Sequence, residues 1–345
     1  MQKINIIAEI GCNHNGDKNL AREMVLAAKE CGVDGVKFQT FKAEALISRY
    51  APKADYQKIT TGTADSQLEM TRKLELSQED YNELREYASS LGLQVFSTPF
   101  DMESVDFLDS IGQVTWKIPS GEITNLPYLE KIGRIKREGK KVIVSSGMAT
   151  VEEMRNCISV LVNNGTSEAD IILLHCNTEY PTPDEDVNLL AIHDLMESFP
   201  NVKIGFSDHS VGPVAAIGAA VLGVTLIEKH FTLDKNFPGP DHKASATPQE
   251  LKALVDGVRR IEVMAGSDKK IVTASERKNK IVARKSIVAK CDIKAGEMFT
   301  EENITCKRPG NGISPMMWYD VLGNKAERDF CADELISLSG FSWQE

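Results

Sequence analysis

Apolar positions along the chain fall into short continuous runs, separated by stretches in which they recur every three or four residues. Eight runs have strand length: INIIAEI (4–10), GVKFQT (35–40), LQVFSTP (93–99), TWKIPS (115–120), KVIVSS (141–146), IILLHCN (171–177), VKIGFSDH (202–209) and TLIEKHF (225–231). Most are apolar at successive positions, as in strands buried on both faces. Helical spacing lies between them, as in Tyr81, Leu84, Ala88 and Leu91, and again in Leu251, Leu254, Val255, Val258 and Ile261. Thr150 with Glu153, and Thr247 with Pro248 and Glu250, read as capping boxes. Gly32, Gly92, Gly139, Gly165, Gly223 and Gly266 follow helical stretches, as C-caps do. Eight strand–helix units predict an α/β fold, a (β/α)8 TIM barrel over 1–266. A doubly wound sheet is the rival, but its first turn would be Gly-rich, and GCNHNG is not G-x-G-x-x-G. One connection, 41–76, is long enough for a lid or binding loop.

The pattern changes after Gly266. ASERKNKIVARKS (274–286) is basic and polar, so 267–284 reads as a linker. Short strand-like pieces follow, predicting a small, irregular β-rich module over 285–345. The Met and aromatic residues of SPMMWY read as the core of that module.

Composition narrows the class. A formal net charge of −10 over 345 residues argues against a nucleic-acid surface. An anionic substrate would then be held by a few well-placed cations. No apolar run approaches the roughly 18–20 residues of a membrane span. The start, INIIAEIG, has no signal-peptide layout. Seven scattered cysteines without a C-x-x-C pair disfavour structural zinc and a disulfide framework. The expectation is a reduced, cytoplasmic enzyme.

The candidate chemistry lies at the ends of the strands. In a barrel these tips share one mouth, and nearly all are polar: Glu9, Lys37 with Gln39, Ser97 with Thr98, Lys117 with Ser120, Ser145 with Ser146, His175 with Asn177, Ser207 with His209, Glu228 with His230. His209 and His230 come from neighbouring strands, about 4.8 Å apart, and can meet one cation. Two imidazoles leave coordination positions open, which suits an exchangeable Mn2+ or Mg2+; the plain alternative is a pair of capping histidines. Lys37 and Lys117 sit inside apolar strands, where an unpaired charge is costly. With the hydroxyls of Ser120, Ser145 and Ser207 they would cradle a small polyanion carrying phosphate and carboxylate. Asp241, in the stiff PGPDH loop, either holds sugar hydroxyls or simply forms the turn. Tyr180, in EYPTP, poses the same choice. His14 with Asn15 and Gly16 reads as the first turn, and His193 as structural. Arg308, in KRPGNG, is either a surface arginine or one presented to a neighbouring site.

Taken in order, AEIGCNHNG, VKFQTF, FSTPFD, KIPSGE, SSGMAT, HCNTEYPTP, GFSDHS, EKHFTLD, PGPDH and KRPGNG resemble the sialic acid synthase family over essentially the whole chain. The resemblance implies a barrel followed by an antifreeze-like (SAF) domain, in a homodimer where each tail covers the partner's barrel. It implies that phosphoenolpyruvate condenses with N-acetylmannosamine and water to N-acetylneuraminate and phosphate, with C–O cleavage. A legionaminic or pseudaminic acid synthase using a 2,4-diacetamido-trideoxy-hexose is the alternative. A carbohydrate-binding module on an inactive barrel is the alternative of another class. By motif, His209 and His230 resemble ligands of Mn2+, with Mg2+ or Co2+ as substitutes. Lys37, Lys117, Ser120, Ser145 and Ser207 resemble the phosphoenolpyruvate cradle, with Thr98 and either Asn177 or Thr178 beside it. Gln39, Tyr180 and Asp241 resemble sugar contacts, and Arg308 one made from the partner chain. Glu9 resembles a carboxylate that moves protons; Lys37, Lys117, Glu122 and Glu228 resemble further catalytic members. The loop 41–76 receives no contacts.

Overall fold

All eight apolar runs become strands in the computed structural model, which describes residues 2–341. They are β1 Asn5–Gly11, β2 Gly35–Thr40, β3 Gln94–Pro99, β4 Thr115–Ile118, β5 Lys141–Ser145, β6 Ile171–His175, β7 Lys203–Asp208 and β8 Leu226–His230. Neighbours pair in parallel in the order β3-β2-β1-β8-β7-β6-β5-β4, a nearly closed barrel with helices outside. β3 and β4 pack side by side, but no backbone ladder joins them among the described residues. Side chains close the seam instead. The Gln113 amide accepts from Ser97 N at 2.8 Å and donates to Ser97 O at 2.9 Å, as a facing strand would. Gln94 Nε2 donates to Thr115 Oγ1 at 3.1 Å, and the Tyr128 hydroxyl donates to Pro99 O at 2.6 Å.

Both predicted capping boxes form, whereas Gly139 caps no helix: the helix Leu126–Arg134 ends with Ile135 at its C-cap, and Gly139 sits in the turn before β5. Thr150 and Thr247 accept from the backbone N–H of Glu153 and Glu250, whose carboxylates reach back to the cap residues. Gly32 ends the first helix at φ 86°, a left-handed conformation that favours glycine. The outer strand faces pack against the helices in one large apolar core. The barrel interior holds a smaller one, made by Ile7, Phe96, Ile143, Leu174 and Leu226. Side chains alternate across a strand, so the residues two further on also point inward. In four of those strands they are Glu9, Thr98, Ser145 and Glu228. An apolar floor therefore lies beneath a polar layer.

The connection 41–76 is not a bare loop. It carries three short helices, Ala43–Leu46, Asp55–Thr61 and Gln67–Arg72. Met70, Thr71 and Leu74 are buried within it.

Contacts divide the chain into two units, Met1–Gly266 and Ser267–Glu345. The second contains the antiparallel pair β9 Ser286–Ala289 and β10 Ile304–Lys307 over a core that includes Ile287, Phe299, Ile304, Val321 and Phe330. Two expectations change here. The stretch read as a linker carries a helix, Ala274–Ala283, opened by a Thr273–Glu276 capping box. Of SPMMWY, Trp318 packs on the module core, whereas Met316 and Tyr319 are exposed at 89% and 83%. Their apolar character reflects an uncovered surface rather than a core. Among the described residues no helix is long and apolar enough to cross a membrane.

Candidate active site

Strand register brings the ionisable side chains of the polar layer together. Glu9 stands beside Lys37 on one flank and beside His230 on the other, while Glu228 stands beside Ser207. The Lys37 ammonium lies 2.9 Å from Glu9 Oε2 and 3.6 Å from Glu228 Oε1, and donates to Thr98 Oγ1 at 3.2 Å. Lys117 donates to both Glu228 oxygens at 3.2 Å and to Ser145 Oγ at 2.6 Å. Ser207 Oγ donates to Glu228 Oε1 at 3.1 Å, and Gln39 Nε2 to Glu9 Oε1 at 2.9 Å. All four charged groups are nearly inaccessible.

Burial makes each charge depend on its neighbours. It lifts the Glu9 carboxyl to about 7, against the opposing pull of Lys37. Burial also works to raise Glu228, but Lys117 and then Lys37 outweigh it and hold that carboxyl at about 2. Burial pulls Lys117 below the usual lysine range, with Glu228 opposing. Lys37 is likewise penalised by burial, yet Glu228 and Glu9 carry it above that range. Two ammonium groups thus face one firmly ionised carboxylate and one that readily takes a proton. Such a layer can accept a small anion by protonating Glu9.

On the adjoining side, the rings of His209 and His230 lie 5.4 Å apart between centroids. His209 Nδ1 donates to Asn177 O at 2.5 Å, which leaves Nε2 as the lone-pair nitrogen; the Tyr180 hydroxyl and Ser207 Oγ both lie 3.2 Å from it. His230 Nδ1 is buried without a hydrogen-bond partner, 3.9 Å from Asp241 Oδ2. Burial holds His209 at about 4 and His230 well below its ordinary value. Both are therefore neutral imidazoles, the form that binds metal. The unpartnered nitrogen fits a cation held from two histidines. Among the described residues no group of three His, Cys, Asp or Glu side chains could enclose one.

Tyr180 stacks on His209 at 4.2 Å, and Tyr56 lies against Tyr180 at 5.4 Å between ring centroids. Asp241 accepts from the Cys12 thiol at 3.4 Å, and burial raises its carboxyl to about 6. Ser120 Oγ accepts from Gly147 N at 3.1 Å. These groups, with the two lysines, Gln39, Thr178 and Ser145, line one cavity of about 300 Å³ at the barrel mouth. That volume suits small molecules rather than a polymer.

Other expected members lie elsewhere. Asn177 turns away: its carbonyl holds His209 and its side chain accepts from Glu179 N. Glu122 lines a neighbouring hollow with Asp101 and Asn125 and does not line the central cavity. Thr98 stands behind Lys37 rather than in the cavity wall. His175 does not join the mouth either, its Nε2 being 2.9 Å from Val187 O. Arg308 belongs to the second unit, where its Nε donates to Ala283 O at 3.0 Å. The sequence reading missed a whole wall. Leu46, Ile47, Met70 and Leu74 from the excursion, with Phe100, give the cavity an apolar side, and Tyr56 closes onto Tyr180. The length of 41–76 was the one signal of it.

A model described as the NeuB family matches residues 24–270, and one described as the SAF domain matches 284–342. The chain belongs to the NeuB family. It is 50% identical to N,N'-diacetyllegionaminic acid synthase of Campylobacter jejuni over 97% of this chain and 99% of that one. The synthase of the same name from Legionella pneumophila is 44% identical, over 95% and 91%. Among solved structures, the N-acetylneuraminic acid (sialic acid) synthetase of Leptospira borgpetersenii, in complex with citrate, matches with a TM-score of 0.70 at 32% identity, over 81% and 90%. A NeuB-family barrel followed by a SAF domain is an enzyme of the nonulosonic acid synthase class.

Proposed function

We propose that this chain is an N,N'-diacetyllegionaminic acid synthase. In this reading it joins phosphoenolpyruvate, the 4-acetamido-6-deoxy relative of N-acetylmannosamine, and water. The observation that carries the chemistry is the buried Lys37–Glu9–Glu228–Lys117 cluster above an apolar floor, a charge arrangement suited to a compact polyanion. The choice of sugar departs from the N-acetylmannosamine expected from the motifs. Two relatives named for the legionaminic product share 50% and 44% identity, against 32% for the sialic acid synthetase. The apolar wall of Leu46, Ile47, Met70, Leu74 and Phe100 supports the same choice. A 6-methyl and a second acetamido methyl bury well against it, at about 0.8 kcal/mol per carbon, where hydroxyls would lose water.

In the reaction, C3 of phosphoenolpyruvate attacks the aldehyde carbon of the open-chain sugar, and the aldehyde oxygen takes up a proton. Water then adds its oxygen at C2 and gives up a proton, and the C2–O bond breaks to release phosphate. Lys37 and Lys117 bind and orient the anion, with Ser145 and Ser207 as hydroxyl partners. Glu9, poised near neutrality, holds or yields a proton at its carboxyl oxygens. Tyr180 and Asp241 flank the sugar side. A divalent cation on His209 and His230, Mn2+ with Mg2+ or Co2+ as substitutes, would supply Lewis acidity at the aldehyde oxygen.

A product assay with both sugars tests the assignment. The diacetamido sugar is expected to give the higher kcat/KM by about 100-fold, the scale of a few methyl contacts. Equal rates, or a preference for N-acetylmannosamine, would refute it.

We further propose a homodimer in which Arg308 serves the sugar pocket of the partner chain. The exposed Ile281 and Val282 on the helix Ala274–Ala283, and the exposed Met316 and Tyr319, support a covered surface on the second unit. Mixing Arg308→Ala with Lys117→Met is expected to recover activity that neither variant has alone. A mixture no more active than the sum of its parts removes the trans role.

A further inference from the structure

Beside the histidine pair, on the outer face of the same two strands, Asp208 and Lys229 form a buried ion pair. Asp208 Oδ2 lies 2.9 Å from Lys229 Nζ, and the two residues are 0% and 1% exposed. Neither faces the cavity, and the chemistry above uses neither. Such a pair is seldom a net source of stability, because desolvating two charges offsets their attraction.

Its position gives it a purpose. Asp208 lies between Ser207 and His209, and Lys229 between Glu228 and His230, so each charge is flanked by cavity residues. Asp208↔Lys229 is also the last register pair of the β7–β8 ladder. His209 stands one residue past it, with no further ladder pair to hold it beside His230. The ion pair takes over there. Asp208 Oδ1 accepts from Ser210 N at 2.9 Å and from Ser210 Oγ at 2.7 Å, and Lys229 Nζ donates to Ser210 O. The backbone on both sides of His209 is thereby fixed to β8.

We propose that the Asp208–Lys229 ion pair is a positioning element that sets the spacing of His209 and His230 and so the cation affinity of the site. The proposal rests on the reading that these histidines hold a divalent cation. Calorimetric titration of chelator-treated full-length protein with Mn2+ tests it, using wild type, His209→Ala, Asp208→Asn, and the double variant Asp208→Leu/Lys229→Met. The double variant keeps similar volume without charge, so it guards against simple misfolding of the single one.

The expected result is a melting temperature near wild type for the double variant, with Mn2+ affinity lowered about 10-fold or more in both Asp208 variants. Mn2+ affinity within about twofold of wild type in a folded Asp208 variant overturns the positioning role while leaving the metal reading intact. Wild type that binds Mn2+ no better than His209→Ala overturns both.

Discussion

Lys117→Met is expected to lower kcat/KM for phosphoenolpyruvate by about 1,000-fold, the scale of removing one preorganised charge at a reacting anion. Lys117 is one of two ammonium groups over the apolar floor, and it bonds Ser145 as well as Glu228. Without it, Glu228 keeps only Lys37 at 3.6 Å and Ser207. A buried carboxylate that loses its main partner also costs about 3–5 kcal/mol of stability. The two effects separate in a Lys117→Met/Glu228→Gln variant, which removes both charges. Denaturant melts should show most of the stability restored, and steady-state assays should show activity still lost. Recovery of activity in the double variant would mean that Lys117 serves only to neutralise Glu228.

His209→Ala carries the second large effect. Wild type treated with a chelator should regain turnover on addition of Mn2+, and the variant should not. Its Mn2+ affinity is expected to fall about 100-fold or more, since one of two imidazoles is gone. The loss should not be structural. His209 sits at the end of a strand, stacked on Tyr180 and bonded to Asn177 O, outside the apolar core. A melting temperature close to wild type, together with unchanged turnover, would remove the metal assignment.

The barrel was legible because its strands are continuous apolar runs, with helices between them that carry their own start and stop signals. Much of the polar layer was legible for a related reason: a lysine inside WKIP or a glutamate inside IIAEI needs a partner, and a barrel interior provides one. The reading went astray where it took every polar tip as facing inward. Side chains alternate, so Ser97, Ser146 and His175 fall on the other face from the interior residues Phe96, Ser145 and Leu174. Only strand parity, fixed by which residues form the apolar floor, sorts them. The wall of Leu46, Met70 and Leu74 left no signal beyond the length of its connection. Its helices are only four to seven residues long, too short for a 3.6-residue period to emerge. Glu122 was carried by its motif alone, and its side chain turns toward Asn125, which donates to it at 2.6 Å.

The contact between β3 and β4 has a mechanical corollary. A cylinder fastened by a ladder almost everywhere, but by glutamine and tyrosine side chains along one line, has its weakest stitch there. Few main-chain bonds would have to break for the two lips to part. Thr98 and Lys37 belong to one lip and Lys117 to the other, so any such parting would widen the gap between the two ammonium groups. An anion bridging them would act as the missing clasp.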